Sequence, residues 1–256
     1  MSSPGARLSF GPLGVDPVSL SQAVDVVEEL VRAGLGGAVF TPNIDHVVLA
    51  EKDERLRAAY ERASLSLVDG MPLVWSSRLL GQPVPEKVSG SDFVLPLLER
   101  AAARGWRVYF LGGAEGVAAK ARDRLLVDLP ALRIVGVDAP RIDVDAAGEA
   151  RAAVLAPILA ARADVVLVAL GAPKQEIWID RAREALRPAV LLGVGASLDF
   201  IAGTIARAPR WMSRAGLEWL FRLSREPRRL AYRYLVRDPR FLVILARQLA
   251  SRTLAR

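Results

Sequence analysis

The chain has 256 residues, a formal net charge of +7 and no cysteine, and 52% of its residues are hydrophobic. The lack of cysteine excludes disulfide bonds and thiolate metal sites, and the single histidine, His46, excludes a histidine-rich metal centre. No apolar run reaches the length of about 18 residues that would predict a membrane-spanning helix.

Short apolar segments alternate with helical patterns through residues 1–202. Several of the apolar segments, such as 165–170, are apolar on both faces, which is typical of buried parallel strands. This alternation predicts a Rossmann-like, doubly wound α/β fold with a mostly parallel sheet. In chain order, the predicted strands are 37–41, 65–69, 107–112, 133–138, 164–171 and 189–195, and the predicted helices are 20–32, 44–62, 92–104, 116–128, 146–161 and 175–186.

The segment 203–256 differs from the rest in charge and in pattern. It carries thirteen arginines and three acidic residues, and its arginines are interleaved with aromatic and aliphatic residues. Helical patterns cover 211–224, 228–236 and 239–253, with breaks at Pro227 and Pro239 and no strand. We therefore expect a boundary near Gly203, between a Rossmann-like domain of residues 1–202 and a basic amphipathic helical appendage of residues 203–256. Such an appendage suits an anionic membrane surface.

Polar residues follow the predicted strands, at the sheet edge where α/β proteins bind ligands. Asp69 ends the strand 65–69, and it is either a helix N-cap or a carboxylate that accepts a proton from an attacking hydroxyl. With Thr41 as N-cap and Pro42 in the first helical position, Asn43 would be free to bond a sugar hydroxyl or an amide. His46 lies one turn into that helix, where a structural role is the commoner one.

Three further strings carry candidate chemistry. Gly112 and Gly113 form a turn that either holds a phosphate or ribose or serves tight turning alone, since the full dinucleotide-binding spacing is missing. Asp143 and Asp145 resemble a carboxylate pair for Mg²⁺ or Mn²⁺, although capping of the helix 146–161 is the favoured interpretation. Gln175 follows Lys174 in a first helical turn, where an amide and a positive charge suit a diphosphate.

Taken in order, these strings resemble the WecG/TagA/CpsF family of glycosyltransferases over nearly the whole chain. The matching pieces are Thr41-Pro42-Asn43, Val68-Asp69-Gly70, Val88-Ser89-Gly90-Ser91-Asp92, Phe110-Leu111-Gly112-Gly113, Leu170-Gly171-Ala172-Pro173-Lys174-Gln175-Glu176 with Trp178, Asp199-Phe200-Ile201-Ala202-Gly203, Arg207-Ala208-Pro209, Gly216-Leu217-Glu218-Trp219-Leu220-Phe221-Arg222 and Glu226-Pro227-Arg228-Arg229.

The resemblance implies a bacterial, metal-independent, inverting enzyme with no cofactor. Such an enzyme transfers an N-acetylmannosamine-type sugar from a UDP donor to a polyprenyl-diphosphate-linked acceptor, for teichoic acid, capsule or other exopolysaccharide biosynthesis. It also implies a catalytic domain in residues 1–202 and an appendage that docks on the membrane. We accordingly expect a cytoplasmic protein bound peripherally to the inner face of the cell membrane, since residues 1–7 also lack the apolar core of a secretory signal.

By the same resemblance, Asp69 matches the catalytic base. The matching substrate-binding residues are Thr41 and Asn43 beside the donor sugar, Gln175 at the diphosphate or sugar, Asp199 at the nucleotide, and Arg222 and Arg229 at the leaving UDP, with Gly112 and Gly113 as further candidates. The sequence departs from the family at Lys87, where an arginine is usual. It departs again at Pro140-Arg141-Ile142, where the family has Gly-Tyr-Phe and where Arg141 would be left to stack on the uracil.

Other functions stay open at the level of sequence. One alternative is a nicotinamide- or nucleotide-dependent enzyme of ordinary Rossmann type, and a related one is a sugar 2-epimerase. Another is a basic module that binds nucleic acid through the arginines, although no nucleic-acid partner is expected. The sequence leaves homo-oligomerisation undecided.

Overall fold

Two sheets and thirteen α-helices make up the computed structural model over the residues that it describes, 7–254. The strands are β1 (Leu8–Phe10), β2 (Leu13–Val15), β3 (Gly37–Phe40), β4 (Leu65–Ser66), β5 (Arg107–Gly112), β6 (Arg133–Asp138), β7 (Val165–Ala169) and β8 (Val190–Gly193). The helices are α1 (Leu20–Arg32), α2 (Ile44–Ala50), α3 (Glu54–Glu61), α4 (Met71–Leu79), α5 (Gly90–Arg104), α6 (Val117–Asp128), α7 (Gly148–Ala161), α8 (Lys174–Ala182), α9 (Ser197–Ala202), α10 (Arg210–Arg214), α11 (Glu218–Arg225), α12 (Pro227–Tyr232) and α13 (Arg240–Leu254), with a π-helical turn over Arg233–Arg237 before α13.

The central sheet has six strands in the order β4-β3-β8-β7-β5-β6, and every neighbouring pair is parallel. β1 and β2 form a separate antiparallel hairpin. Helices cover both faces of the central sheet, so that all five residues of β7 are buried, as its continuous apolar sequence predicted. The expected Rossmann-like α/β fold is therefore confirmed.

Two hydrophobic cores lie on the two faces of this sheet. One is built mainly by α1, α5, α6 and α9, and the other by the β1–β2 hairpin, α2, α3, α7, α8 and α13. Because both faces are filled, ligand access is left at the carboxyl ends of the strands, where the polar strings of the sequence lie.

The main differences from the predicted elements have local causes. The predicted helix 44–62 is two helices, because Asp53 caps α3 by accepting the N–H groups of Arg55 and Leu56 at 3.0 and 3.3 Å. The β1–β2 hairpin and α9 were not predicted, since they are too short to show a period. The predicted helix 211–224 is interrupted at Gly216, whose φ of +71° lies in the left-handed region.

The helices after Gly203 pack on the rest of the protein. Phe241 and Ile244 of α13 are buried in the core that also contains Phe10 of β1. The Gln248 side chain bonds the hairpin twice, by donating to the Ser9 carbonyl at 2.6 Å and accepting the Gly11 N–H at 3.0 Å. The division of the chain near Gly203 stays a prediction. Within residues 7–254, no helix combines the length and the hydropathy needed to cross a bilayer.

Candidate active site

Asp69 lies at the carboxyl end of the sheet, on the segment that continues β4. Its N–H donates to the Pro42 carbonyl at 2.9 Å, which ties it to the loop after β3. Gly70 is the N-cap of α4 and has a φ of +104°, a conformation that favours glycine. Asp69 therefore does not cap α4, and within the described part of the chain no group donates a hydrogen bond to its carboxylate.

The carboxyl group of Asp69 has a raised pKa. Burial removes solvent from the group and the negative charge of Glu218 adds to the effect, so the pKa rises to about 6. Lys87, Arg222 and His46 act in the opposite direction. Glu218 and Arg222 belong to α11, so helices from the end of the chain approach the candidate base.

The loop before α11 packs directly on α4. A Cβ atom placed on Gly216 would lie 2.6 Å from Cη2 of Trp75 and 3.2 Å from Cβ of Met71. Met71 begins α4 two residues after Asp69, so this contact explains how Glu218 comes within electrostatic range of the site.

Thr41 lies where β3 and β8 end side by side. A Cβ atom placed on Gly90, the first residue of α5, would lie 3.4 Å from the Thr41 hydroxyl oxygen and 3.3 Å from the Ser197 hydroxyl oxygen. The structure thus brings Thr41 close to Ser197, a residue of the string that the sequence placed after the neighbouring strand β8.

The prediction that Thr41 caps α2 and leaves Asn43 free is wrong. Asn43 is the N-cap, and its Oδ1 accepts the Asp45 N–H at 3.0 Å. Pro42 lies before the helix, because the asparagine side chain satisfies an N–H group of the first turn directly. Arg233 donates to the same Oδ1 from Nη2 at 3.2 Å. The Nδ2 group of Asn43 makes no hydrogen bond with any residue in 7–254.

His46 is buried between α2 and α8. Its Nδ1 lies 3.3 Å from the backbone nitrogen and 3.0 Å from Oδ1 of Asn43, and its Nε2 lies 3.4 Å from Oε1 of Glu176. His46 therefore directly contacts Asn43, one of the candidate site residues.

Gln175 lies in the first turn of α8, which follows Pro173 as N-cap. Its side chain is 4% exposed, and both ends of the amide are bonded within the protein. Oε1 accepts the Gly195 N–H at 3.0 Å, and Nε2 donates to Oε1 of Glu176 at 2.7 Å. The direct diphosphate or sugar contact expected for Gln175 stays a prediction.

Gly112 and Gly113 lie where β5 approaches β7 closely. A Cβ atom on Gly112 would be 2.7 Å from the Ala169 carbonyl oxygen, and its φ is +94°. The Gly113 N–H donates to that same carbonyl at 2.8 Å. This N–H is already bonded, so tight turning accounts for the pair, and phosphate binding here stays a prediction.

The prediction that Asp143 and Asp145 cap the next helix is wrong. α7 begins later, with Ala147 as N-cap and no side-chain cap. Asp145 instead forms ion pairs with Arg55 of α3 at 3.2 Å and with Arg181 of α8 at 2.9 Å. These two arginines lie within reach of the Asp145 carboxylate in the folded chain. Residues 7–254 contain no group of three or more histidine, aspartate or glutamate side chains arranged to hold a metal.

The two predicted appendage arginines have different surroundings. Arg222 is partly buried near Asp69, and its Nε has no hydrogen-bond partner among the described residues. Arg229 is 60% exposed at its side chain and pairs with Glu226 at 3.0 Å. Asp199, on α9, accepts the Thr204 hydroxyl at 3.3 Å through Oδ1.

The structure also shows the surroundings of Lys87 and Arg141, at the two positions where the sequence departs from the family pattern. Lys87 lies near Asp69 and pairs with Asp92 at 2.7 Å. Arg141 lines a small cavity of about 100 Å³ with Trp178 and Arg181. Uracil stacking by Arg141 stays a prediction.

Sequence reasoning missed several charged residues of this region. Asp45 is buried and pairs with Arg233 at 3.2 Å and Arg237 at 2.6 Å. Glu176 is fully buried beside Gln175. Glu176 belongs to a string that matched the family but was given no role there, and Asp45 stands two positions after another such string. No local pattern connects the arginines to α2.

Comparison with known proteins identifies a family. The model of the glycosyl transferase WecG/TagA/CpsF family matches residues 8–255. A relative from Bacillus spizizenii (strain ATCC 23059 / NRRL B-14472 / W23) is 32% identical over 217 residues, which cover 84% of this chain and 81% of the relative. That relative is named N-acetylglucosaminyldiphosphoundecaprenol N-acetyl-beta-D-mannosaminyltransferase. The resemblance seen in the sequence is confirmed, and the chain belongs to the WecG/TagA/CpsF family of glycosyl transferases.

Proposed function

We propose that this glycosyltransferase moves an N-acetylmannosamine-type sugar from a UDP donor to N-acetylglucosamine on a polyprenyl diphosphate, with inversion at the anomeric carbon. The proposal depends most on Asp69, whose carboxylate is free of hydrogen bonds from described residues and lies where α/β proteins bind ligands. The name of the Bacillus relative supports the choice of transferred sugar and acceptor. The product would enter the synthesis of a cell-surface polysaccharide such as wall teichoic acid.

Asp69 is the proposed general base. The acceptor hydroxyl oxygen forms a bond to the anomeric carbon while its proton passes to the Asp69 carboxylate. The bond from that carbon to the β-phosphate oxygen breaks on the opposite face, and its electron pair leaves with UDP. A pKa of about 6 keeps Asp69 ionised at neutral pH and makes it a better proton acceptor than an ordinary aspartate. Such a base contributes about 10²–10⁴-fold to the rate.

Arg222 is the proposed partner of the departing diphosphate. Its guanidinium is close enough to Asp69 to affect the pKa of that carboxyl group, and its Nε is unbonded among the described residues. A desolvated arginine aimed at developing negative charge stabilises a transition state strongly. Arg229 would add a second positive charge after exchanging Glu226 for the diphosphate. With these cations the proposed reaction needs no metal.

The C-terminal helices are the proposed membrane-docking surface. They combine many arginines with large apolar side chains that are exposed to solvent, namely Trp211, Trp219, Leu220, Tyr232, Leu235, Val236, Leu242 and Val243. Basic charge together with exposed apolar area suits an anionic bilayer surface. A lipid-linked acceptor loses about 0.8 kcal/mol for each CH₂ group that leaves the bilayer, so the enzyme has to reach the acceptor at the membrane.

The decisive experiment is a transfer assay with the purified full-length chain and a synthetic polyprenyl-diphosphate N-acetylglucosamine acceptor. UDP-N-acetylmannosamine, UDP-N-acetylglucosamine and UDP-glucose are compared as donors, with and without EDTA, and the product is identified by mass spectrometry. We expect transfer from UDP-N-acetylmannosamine that EDTA does not reduce. Absence of transfer from every UDP-sugar, together with tight binding of NAD⁺ or of RNA, would overturn the proposal in favour of an alternative class.

A further inference from the structure

Glu176 is a buried carboxylate that the proposed transfer step does not use. It is 0% exposed, and its Oε2 has no hydrogen-bond partner within the described part of the chain. Its Oε1 accepts a hydrogen bond from Gln175 Nε2 at 2.7 Å and faces His46 Nε2 at 3.4 Å. A carboxylate that is shielded from solvent and has so few hydrogen-bond partners lowers the free energy of unfolding. This cost suggests that Glu176 has a role other than packing.

The imidazole of His46 connects this carboxylate to Asn43. The ring is 5% exposed and lies with Nε2 toward Glu176 and Nδ1 toward the Asn43 backbone N–H, at 3.3 Å. Nδ1 also lies 3.0 Å from Asn43 Oδ1, and Nε2, which makes no hydrogen bond among the described residues, is the ring atom that faces Glu176. One ring thus fixes the N-cap of α2 against the first turn of α8.

Polar contacts continue beyond both ends of this pair. At one end, Gln175 accepts the Gly195 N–H at 3.0 Å, just after β8. At the other end, Arg233 donates to Asn43 Oδ1 at 3.2 Å, just before α13. The chain of contacts therefore joins the end of β8, α8, α2 and the C-terminal helices.

The bonds to Asn43 decide which part of its amide can meet a ligand. Its Oδ1 already accepts the Asp45 N–H at 3.0 Å and the Arg233 guanidinium, and a carbonyl oxygen has two lone pairs. Its Nδ2 has no partner among residues 7–254, and Asn43 is partly exposed. The group left to bind a ligand is a hydrogen-bond donor.

We propose that Glu176 and His46 are positioning residues, which hold the Asn43 amide with Nδ2 directed at an oxygen acceptor of the sugar-nucleotide donor. This inference rests on the proposed function. In this arrangement Gln175 belongs to the support, since its amide is buried and bonded at both ends. Arg233 is the member of the chain of contacts that comes from the C-terminal helices.

The test is a double-substitution cycle between Glu176→Gln and Asn43→Ala in the full-length enzyme. Asp164→Asn serves as the matched control. The Asp164 carboxylate accepts the Arg107 N–H at 2.7 Å, and it lies at the amino end of the strands, opposite the candidate site. For each variant the KM of the UDP-sugar, the KM of the lipid acceptor, kcat and Tm are measured.

We expect Glu176→Gln to raise the KM of the donor by about 10-fold to 100-fold and to leave the KM of the acceptor unchanged, since small misplacement of a substrate contact has effects of that size. The same substitution should have no further effect in the Asn43→Ala background. Asp164→Asn should leave both KM values unchanged even where Tm falls.

Two substitutions of His46 separate the role of each ring nitrogen. His46→Asn keeps a polar group near the position of Nδ1 and loses the contact with Glu176, so it should reproduce Glu176→Gln. It also carries the test if Glu176→Gln folds poorly. His46→Gln keeps a polar group near the position of Nε2 but loses the contact with Asn43. It should therefore also raise the KM of the donor.

The outcomes separate this inference from the proposed function. If the wild-type enzyme transfers sugar and Glu176→Gln has an unchanged donor KM, or an equal effect with and without Asn43, the positioning role is rejected and the proposed function stands. If the wild-type enzyme neither binds nor uses any UDP-sugar, both are rejected.

Discussion

Nη2 of Arg233 lies 3.2 Å from Oδ1 of Asn43, although 190 positions separate the two residues in the chain. The same arginine pairs through Nε with Asp45 at 3.2 Å. The C-terminal helices are thereby attached to the N-terminus of α2, at the sheet edge where Asp69 lies. These helices therefore form part of the wall of the candidate site.

Asp69→Asn should lower kcat by about 10²–10⁴-fold, because the amide cannot accept the proton of the acceptor hydroxyl. UDP binding should persist, since the substitution preserves size. The comparison is Asp143→Asn, at an exposed residue that does not cap α7, and it should leave kcat unchanged. Steady-state rates and UDP affinity by calorimetry check both, and a full rate in Asp69→Asn would refute the base assignment.

The pH dependence of kcat/KM should show an acidic limb near pH 6. Asp69 works as a base only when ionised, and burial raises its pKa to about 6, so activity should rise as pH increases through that value. A rate profile between pH 4.5 and 8 in constant ionic strength, at about one-half-unit steps, would reveal the limb. A limb near pH 4 instead would show that the carboxyl group of Asp69 has an ordinary pKa or is not the base.

Asp69→Asn should also stabilise the fold at neutral pH. Because the folded-state pKa of about 6 exceeds the ordinary value of 3.8, the folded protein holds this proton more tightly than the unfolded chain. The ionised group therefore lowers the free energy of unfolding above pH 6 and has no such effect below pH 3.8. The gain from the substitution should reach at most about 3 kcal/mol near pH 7 and disappear toward pH 4. Urea unfolding of both proteins at pH 7 and at pH 4 measures this difference in the free energy of unfolding. An equal difference at both pH values would show that it does not arise from the raised pKa of Asp69.

Arg222→Gln should lower kcat/KM by about 10²-fold, since a positive charge near the leaving diphosphate is lost. Weaker inhibition by the product UDP should accompany the loss. Arg225→Gln is the control, because Arg225 is exposed on the same helix and its guanidinium lies over the Phe221 ring, 5.4 Å from the centroid. Similar losses in both variants would indicate a general charge effect in place of a specific contact.

The combined variant Leu235→Asn and Leu242→Asn should bind anionic vesicles less tightly by about 10-fold or more, because exposed apolar area contributes to interfacial binding. The two side chains are 61% and 67% exposed, so folding should be unaffected. Val127→Asn, at a residue 79% exposed on α6, is the matched control. Vesicle co-sedimentation at low and high salt measures the change, and equal binding by the three proteins would exclude this surface.

The sequence predicted the elements whose pattern is strong and local. Helix α1 and strands β5 and β6 have the predicted bounds, because amphipathic periods and short apolar runs depend only on neighbours in the chain. The ordered strings at strand ends predicted the family. The position of Asp69 at the sheet edge followed from the rule that parallel strands place their carboxyl ends together.

Other features were decided by tertiary contacts. Asn43 and not Thr41 caps α2, and Asp145 pairs with arginines where a helix cap was predicted, because competition among hydrogen-bond partners depends on which residues come close in space. The raised pKa of Asp69 depends on burial and on Glu218, which the packing of Gly216 against Trp75 brings near. The sequence by itself determined which residue types stand at the ends of the strands. Only the folded chain decided which of them meet, since burial, charge and distance between remote residues are properties of the packed structure.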